Sequence, residues 1–318
     1  MEIKTFFDFC AGIGGGRLGL EMAGLECVGF SETSKLAETT YKLLYDTSNE
    51  RNYGDLRKIE LKSLPYFDLL IAGFPCQSFS VIGRQEGFND SRGQIIFHLA
   101  NILYNQKPKC FILENVKGLV TNNNGESLNT ILKLLYDSGY YVAYKVLNSM
   151  DYGVPHMRQR VYFIGIRKDL VPNICVYNFP SPLWPTELKD YLIDNYPITE
   201  YNLKLFIPYL NNKINQGKYC LDDILAMEGK IIDTRMSDLR IYNGRVPTLR
   251  AQRDGIYYVK EGKLFQLTGF EALLLQGFPE DFANKVKHKV SDRHLLMQAG
   301  NAMTTHVIRE LGISFLKI

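Results

Sequence analysis

A single cysteine follows a predicted strand in a position suited to nucleophilic chemistry. Residues 69–72 form an apolar run typical of a buried strand, and Cys76 comes four residues later, directly after Pro75. Proline restricts the backbone of this turn, and a constrained thiol after a central strand is well placed for covalent catalysis. A lone cysteine is more commonly a small buried hydrophobic residue. The residue type alone leaves both interpretations open.

Polar side chains follow or precede two further predicted strands. Glu114 comes directly after the apolar run 110–113, and Arg158 and Arg160 lead into the run 161–166. Carboxyl ends of neighbouring parallel strands meet at one edge of a sheet, so we expect Glu114 near Cys76. The two arginines alternate and would share one face of an extended segment. A solvated or helix-capping glutamate and ordinary surface charge are the competing interpretations.

A glycine-rich turn near the N-terminus predicts a nucleotide-like ligand. Residues 14–19 match G-x-G-x-x-G between a predicted strand and a helix, where glycines permit close backbone approach and the helix N-terminus favours negative charge. Glu32 ends the next strand and is positioned to accept hydrogen bonds from ribose hydroxyls. Asp55 follows a later turn and could accept an adenine amino hydrogen or be a solvated loop carboxylate. Such a turn occurs in proteins that bind NAD, flavin or S-adenosylmethionine, so it does not distinguish among these ligands.

The elements that would hold these residues alternate between strand and helix. Apolar runs at 3–10, 27–30, 67–72, 110–113, 142–147 and 161–166 read as strands, and 95–103 and 128–135 as helices. This rhythm predicts one α/β domain over roughly the first 170 residues. Four prolines at 180, 182, 185 and 197 then indicate a boundary. Residues 186–270 lack the rhythm, and helices are predicted again at 270–275 and 304–311.

The composition excludes several protein classes. The chain has 318 residues, 46% hydrophobic residues and a net charge of +3 from 37 basic and 34 acidic residues, which is typical of a globular protein. Its six cysteines form no Cys-x-x-Cys pair and are too sparse for a disulfide scaffold. No signal peptide and no apolar run long enough for a membrane span is found. We therefore expect a reduced, cytosolic protein.

Seven short motifs, in order over nearly the whole chain, resemble those of the C5-cytosine DNA methyltransferases. They are DFCAGIGG at 8–15, FPCQ at 74–77, ENV at 114–116, RQR at 158–160, RVPTL at 245–249, QGFP at 276–279 and GNA at 300–302. The resemblance implies a Rossmann-like α/β sheet for S-adenosylmethionine-dependent methyl transfer and a smaller target-recognition domain. The expected domains are 1–183 plus 285–318 for catalysis and cofactor binding, and 184–284 for target recognition and hinge.

The resemblance also implies a role for each motif residue. Cys76 would attack carbon 6 of a flipped-out cytosine, Glu114 would hold the proton at N3, and Arg160, supported by Arg158, would bind O2. The methyl group of S-adenosylmethionine would go to carbon 5, and no metal is expected. The implied cofactor-binding residues are Asp8, Cys10, Gly12, Gly14, Gly15, Glu32, Thr33, Asp55, Leu56, Pro75 and Asn301.

Three positions depart from the family pattern. Cys10 and Thr33 stand where the family usually has aromatic residues near the cofactor, and His156 stands where the arginine motif usually begins with glutamine. The first two concern adenine packing, and the third conserves hydrogen-bonding capacity. The polar, glycine-containing segment 78–93 is expected to close over the flipped base.

The implied partner is double-stranded DNA, bound by a monomer associated with the nucleoid. The segment 235–263 holds seven basic and three acidic residues, and a second basic patch contains Lys285, Lys287, Lys289 and Arg293. Arg240, Arg250 and Gln252 are candidates for reading base edges, and lysines for binding phosphate. Modification within a restriction-modification system is the expected biological role.

Three alternatives remain at this stage. A tRNA cytosine-5 methyltransferase shares the fold, but the Cys-Phe-Thr signature of that subfamily is absent from the second domain. A nicotinamide-dependent oxidoreductase explains the glycine turn and leaves Cys76, Glu114 and Arg160 unexplained. A DNA-binding module that has lost catalysis conflicts with the intact Cys76.

Overall fold

The computed structural model describes residues 2–75, 95–171, 177–251 and 254–317. Contacts between residues divide the chain into two compact units. The first unit comprises Met1–Asn148, Gln159–Pro182 and Ala302–Ile318, and the second comprises Ser149–Arg158 and Leu183–Asn301. No helix in the described ranges is long and apolar enough to cross a membrane.

The first unit is built on a six-stranded mixed sheet. Its strands are β1 (Thr5–Phe9), β2 (Glu26–Ser31), β3 (Leu69–Gly73), β4 (Cys110–Val116), β5 (Tyr140–Asn148) and β7 (Gln159–Arg167), in the order β2-β1-β3-β4-β7-β5. The first four strands in this order are parallel, and β7 runs antiparallel to both β4 and β5. The α/β fold with a Rossmann-like sheet is therefore confirmed.

Helices cover both faces of this sheet. They are α1 (Gly15–Met22), α2 (Lys35–Leu44), α3 (Ile95–Gln106), α4 (Glu126–Asp137) and α10 (Thr305–Phe315). Phe7 and Leu70 pack with α3 and α4 in one core, whereas Ile71, on the opposite face by strand alternation, approaches Gly16 of α1. Burial on both faces explains why the central strands are continuous apolar runs.

The second unit contains an antiparallel sheet. Its strands are β8 (Lys230–Asp233), β9 (Arg240–Asn243), β11 (Ile256–Lys260) and β12 (Lys263–Gln266), in the order β12-β11-β8-β9. A short parallel ladder joins β6 (His156–Met157) to β10 (Val246–Pro247). The helices are α5 (Glu200–Leu210), α6 (Leu221–Leu225), α7 (Gly269–Leu275), α8 (Glu280–Val286) and α9 (Asp292–Asn301). Because every neighbouring pair in this sheet is antiparallel, no βαβ rhythm is seen in its sequence.

The second unit is larger than the domain predicted from the sequence. It includes residues 149–158 and continues to Asn301, whereas the predicted domain spans 184–284. Close packing of α7 against α9 is the physical reason at the C-terminal side. A Cβ atom on Gly269 would lie 2.4 Å from the Cβ of Leu295. The linker prolines therefore indicate one boundary, and helix packing places the other.

Candidate active site

Six of the predicted cofactor residues line one cavity of the first unit. Cys10, Glu32, Thr33, Asp55, Leu56 and Pro75 surround a volume of about 250 Å³. They come from the ends of β1, β2 and β3 and from the turn after residue 54. The structure adds Ser31, Gly54, Arg57 and Ile95 to the lining, none of which was predicted. Arg57 and Ser31 adjoin predicted residues in sequence, whereas Ile95 had no distinguishing pattern.

The carboxylate of Glu32 is held rigidly at one wall of the cavity. Its Oε2 accepts a hydrogen bond from the Gly12 amide at 2.8 Å, and its Oε1 accepts one from the Ser34 amide at 2.7 Å. Asn52 fixes the backbone of Glu32 through its side-chain amide, with both contacts at 3.0 Å. Each carboxylate oxygen retains a lone pair that can accept a hydroxyl donor.

Asp55 provides a second carboxylate acceptor in the cavity wall and is paired with a neighbouring arginine. The Nε of Arg57 donates to Oδ1 of Asp55 at 2.8 Å, and Nη2 donates to Oδ2 at 2.6 Å. The backbone amide of Arg57 also donates to Oδ1, at 3.0 Å. These hydrogen bonds from Arg57 lower the pKa of Asp55 below its ordinary value. Asp55 is therefore an ionised acceptor with a fixed orientation.

Two glycines of the turn pack closely against the protein, and a third has open space around it. A Cβ on Gly14 would lie 2.5 Å from the Tyr45 ring, and one on Gly15 would lie 2.4 Å from the Met303 carbonyl oxygen. Other atoms of the protein occupy the space that a side chain would need at both positions, and neither glycine lines the cavity. Gly12 adopts φ +57°, has open space around it, and contributes through its amide bond to Glu32.

Asp8 lies behind the cavity, not in its wall. Its side chain is fully buried and accepts a long hydrogen bond of 3.5 Å from the Tyr41 hydroxyl. Burial raises the pKa of Asp8 well above its usual range. Strand alternation directs Asp8 to the α1 face of the sheet, so its side chain is not among the residues that line the cavity. Asn301 is an exposed residue at the end of α9, in the second unit.

The segment leading to Cys76 is anchored to the end of the neighbouring strand. Gly73 pairs with Glu114 in the parallel ladder, and the Phe74 amide donates to the Glu114 carbonyl oxygen at 3.3 Å. Asn115 is buried, and its Nδ2 donates to the Phe74 carbonyl oxygen at 3.0 Å. Its Oδ1 accepts from the Val116 amide at 2.8 Å. Asn115, which was not predicted as a site residue, thus fixes the backbone immediately before Pro75.

Glu114 and Arg160 meet at this edge of the sheet. Their side chains are nearly buried, and the Nε of Arg160 lies 3.0 Å from Oε1 of Glu114. The antiparallel pairing of β4 with β7 brings them together, because Val116 is opposite Arg160 in the ladder. The arrangement puts a carboxyl and a guanidinium side by side, one strand from the backbone that leads to Cys76.

Arg158 is placed apart from Arg160, contrary to the shared face expected from alternation. It precedes β7, belongs to the second unit and is only 3% exposed. Its Nη1 donates to the carbonyl oxygens of Gly300 at 3.1 Å and Leu249 at 3.4 Å. His156, in the same unit, accepts the Leu249 amide hydrogen at its Nε2, at 3.0 Å. Both side chains therefore hold backbone in the second unit.

Three predicted features lie outside the described residues. They are Cys76 itself, the predicted closing segment 78–93 and the candidate base reader Gln252.

The predicted basic patches of the second unit contain residues bound to internal partners and residues exposed to solvent. Arg235 is bound by Asp233 on two atoms and by the Thr248 carbonyl oxygen, and Lys287 pairs with Asp194. These two are committed to internal contacts. The exposed members are Arg240, Arg245, Arg250, Lys263, Lys285, Lys289 and Arg293.

Comparisons with known proteins agree with this arrangement. The family model described as C-5 cytosine-specific DNA methylase matches residues 4–317. Type II methyltransferase M.HhaI of Haemophilus parahaemolyticus is 34% identical, with 96% of this chain and 92% of that protein covered. Type II methyltransferase M.BsuFI of Bacillus subtilis is 37% identical, with 97% and 71% covered. The solved structure of the Entamoeba histolytica methyltransferase EhMeth has a TM-score of 0.73 at 19% identity, with 100% and 99% covered.

The structural similarity shows the fold, and the match along almost the whole chain shows the family. The order of the motifs, the Glu114–Arg160 pair and the family match lead to one conclusion: the chain belongs to the C-5 cytosine-specific DNA methylases and is an enzyme of that class.

Proposed function

We propose that this enzyme methylates carbon 5 of a flipped-out cytosine in a specific sequence of double-stranded DNA. The donor is S-adenosylmethionine, and the biological role is modification within a restriction-modification system. The observation that carries the proposal is the Glu114–Arg160 pair beside the backbone that enters Pro75 and Cys76. The Type II methyltransferases related to this chain support the biological role.

The donors and acceptors around the cavity fit S-adenosylmethionine. Glu32 offers carboxylate oxygens to the ribose hydroxyls, and Asp55 offers one to the adenine amino group. Cys10, Thr33, Leu56 and Pro75 provide the remaining wall. When bound, the cofactor supplies an electrophilic methyl group on a sulfonium. The sulfur of Cys10 is desolvated, which raises the pKa of its thiol, so that this cysteine is a neutral wall residue.

The catalytic residues meet the electronic demands of the reaction. Carbon 5 of cytosine is a weak nucleophile, so the Cys76 thiolate adds to carbon 6 and moves electron density to carbon 5. Glu114 holds a proton at N3, and Arg160 binds O2, so both offset charge that develops in the ring. After methyl transfer, loss of the carbon 5 proton and release of the Cys76 sulfur restore aromaticity.

The exposed basic residues of the second unit are suited to DNA. Arg240, Arg245 and Arg250 are arginines whose planar guanidinium can bind guanine edges on two atoms. Lys285 and Lys289 offer point charges to phosphate. Arg158 acts as a positioning residue through the carbonyl groups it holds.

A trapping experiment tests the proposal. The protein is incubated with S-adenosylmethionine labelled on the methyl group and with mixed-sequence duplex DNA or tRNA. It is also incubated with duplexes that contain 5-fluorocytosine, because fluorine cannot leave as a proton does and the covalent adduct persists. We expect labelled DNA and a denaturation-resistant adduct. Bisulfite sequencing of the product gives the target sequence.

Matched cysteine variants make the outcome specific. Cys76→Ala is expected to abolish both the label and the adduct, whereas Cys220→Ala, at an exposed cysteine of the second unit, should leave both unchanged. Adduct formation by Cys76→Ala would refute the mechanism. Label in tRNA and none in DNA would refute the substrate.

A further inference from the structure

The cavity contains no aromatic side chain among the described residues that line it. Six of its lining residues are small or uncharged, and the others are Leu56 and the charged Glu32, Asp55 and Arg57; the six are Cys10, Ser31, Thr33, Gly54, Pro75 and Ile95. A purine ring presents two π faces, and proteins usually cover at least one with a planar π group. The carboxylate oxygens of Glu32 and Asp55 are acceptors suited to the edges of the ligand. Among these residues, the remaining planar cation is the guanidinium of Arg57.

The guanidinium of Arg57 is held in place before any ligand binds. Asp55 receives its Nε at 2.8 Å and its Nη2 at 2.6 Å, which is the two-atom geometry of an arginine–carboxylate pair. This geometry fixes the orientation of the guanidinium plane. The side chain keeps 33% of its surface exposed, and Arg57 lines the same cavity as Asp55. An immobilised, partly exposed guanidinium face is a stacking surface with little ordering cost.

We propose that Arg57 stacks on the adenine ring of the cofactor and takes the place of an aromatic residue in this cavity. The proposal rests on the proposed function, since it assumes that S-adenosylmethionine binds there. Asp55 orients Arg57 in this scheme through its two carboxylate oxygens. Arg57 is a cofactor-affinity residue in this scheme and takes no part in the transfer of the methyl group.

Binding of S-adenosylhomocysteine, measured by calorimetry, tests the proposal without turnover. Arg57→Ala is expected to weaken binding about 3- to 30-fold, the range for loss of a cation–π contact. Arg57→Tyr restores a planar π face and should bind within about threefold of the unaltered protein. Arg57→Lys keeps the charge and loses the plane, so it should bind more weakly than the unaltered protein and no more weakly than Arg57→Ala. Equal affinity of the lysine variant and the unaltered protein would refute stacking.

A second ligand separates stacking from an indirect effect through Asp55. The analogue is S-adenosylhomocysteine with a purine that lacks the 6-amino group. If Arg57 only oriented Asp55 toward that amino group, Arg57→Ala would cost nothing with the analogue. Stacking requires the same fold loss with both ligands, because the ring face is unchanged. Loss confined to the amino-bearing ligand would overturn the proposal.

Two controls complete the design. Arg51→Ala removes a cation that lies 5.1 Å from the Tyr53 ring centroid and outside the cavity lining, and it should leave affinity unchanged. Thermal unfolding confirms that each variant is folded. If the unaltered protein fails to bind S-adenosylhomocysteine, the cofactor assignment itself fails. If it binds and Arg57→Ala binds equally well, the cofactor assignment stands and the stacking proposal is wrong.

Discussion

A buried carboxyl in the second unit predicts a measurable dependence of stability on pH. Glu271, in the first turn of α7, has no exposed surface. Its Oε1 accepts hydrogen bonds from the Tyr258 hydroxyl at 2.9 Å and the Asp194 amide at 3.1 Å, and its Oε2 accepts one from the Thr268 amide at 3.0 Å. Burial outweighs these hydrogen bonds and raises the pKa of Glu271 to about 7.

The sign and size of the effect follow from the two pKa values. The unfolded chain releases this proton near the ordinary value of 4.5, whereas the folded chain keeps it until the pH approaches 7. Between these values the folded state binds more protons, so the free energy of unfolding falls as the pH rises. At about 1.4 kcal/mol per pH unit, Glu271 accounts for a loss of about 3 kcal/mol. The contribution is fully present below pH 4.5 and lost above pH 7.

Urea unfolding of the intact protein and of Glu271→Gln at several pH values between 4.5 and 8.5 measures this loss. The glutamine keeps one acceptor oxygen and presents an amide to the Thr268 N–H, which costs about 1 kcal/mol at every pH. Asp292, whose pKa is also raised by burial, contributes equally to both proteins, so the difference between the curves isolates Glu271. We expect the unaltered protein to be about 1 kcal/mol more stable than Glu271→Gln near pH 4.5 and about 2 kcal/mol less stable above pH 7, a change of about 3 kcal/mol. Parallel curves would refute the assignment.

Four further substitutions test the roles of buried polar groups. Asp8→Asn should preserve S-adenosylhomocysteine affinity and thermal stability, because the raised pKa of the buried Asp8 favours the neutral carboxyl; loss of binding in a folded variant would contradict this. Asn115→Ala should slow turnover about 5- to 100-fold with little change in DNA affinity, since the Phe74 carbonyl oxygen loses its partner; a normal rate constant would argue against anchoring. Arg158→Ala should cost about 2–3 kcal/mol of stability, whereas Arg160→Ala should reduce turnover in a fully stable protein; the reverse pattern would exchange their roles.

The ends of β3 and β4, next to Cys76 and Glu114, were predictable because the apolar runs that indicate these strands are local features of the sequence. The runs 69–72 and 110–113, which lie within β3 and β4, are apolar throughout, as expected for strands buried on both faces. Once both are parallel neighbours, Gly73 and Glu114 must lie at the same edge. The antiparallel return of β7, which brings Arg160 to Glu114, is a long-range pairing that the chain pattern alone does not specify.

The missed residues depend on side-chain direction and on distant partners. Alternation suggested one face for Arg158 and Arg160, but the strand begins at Gln159, and Arg158 turns toward the carbonyl groups of residues 249 and 300. The role proposed for Arg57 depends on its pair with Asp55. The spacing of the two residues in the sequence does not distinguish this pair from an ordinary surface contact. The positions of Arg158 and Arg57 both depend on tertiary contacts, which the local periodicity of the sequence does not specify.

The glycine turn shows why this motif alone could not select the cofactor. The Cβ space of Gly14 is taken by Tyr45, and that of Gly15 by the carbonyl oxygen of Met303, so the fold requires glycine at both positions whatever ligand binds. A dinucleotide-binding protein could need glycine at the same positions for the same packing reason. The glycine motif alone therefore does not exclude the oxidoreductase alternative. Discrimination comes from groups outside the turn. In the proposed reaction, the Glu114–Arg160 pair beside the segment that leads to Cys76 supports addition to a cytosine ring, and hydride transfer requires no such pair.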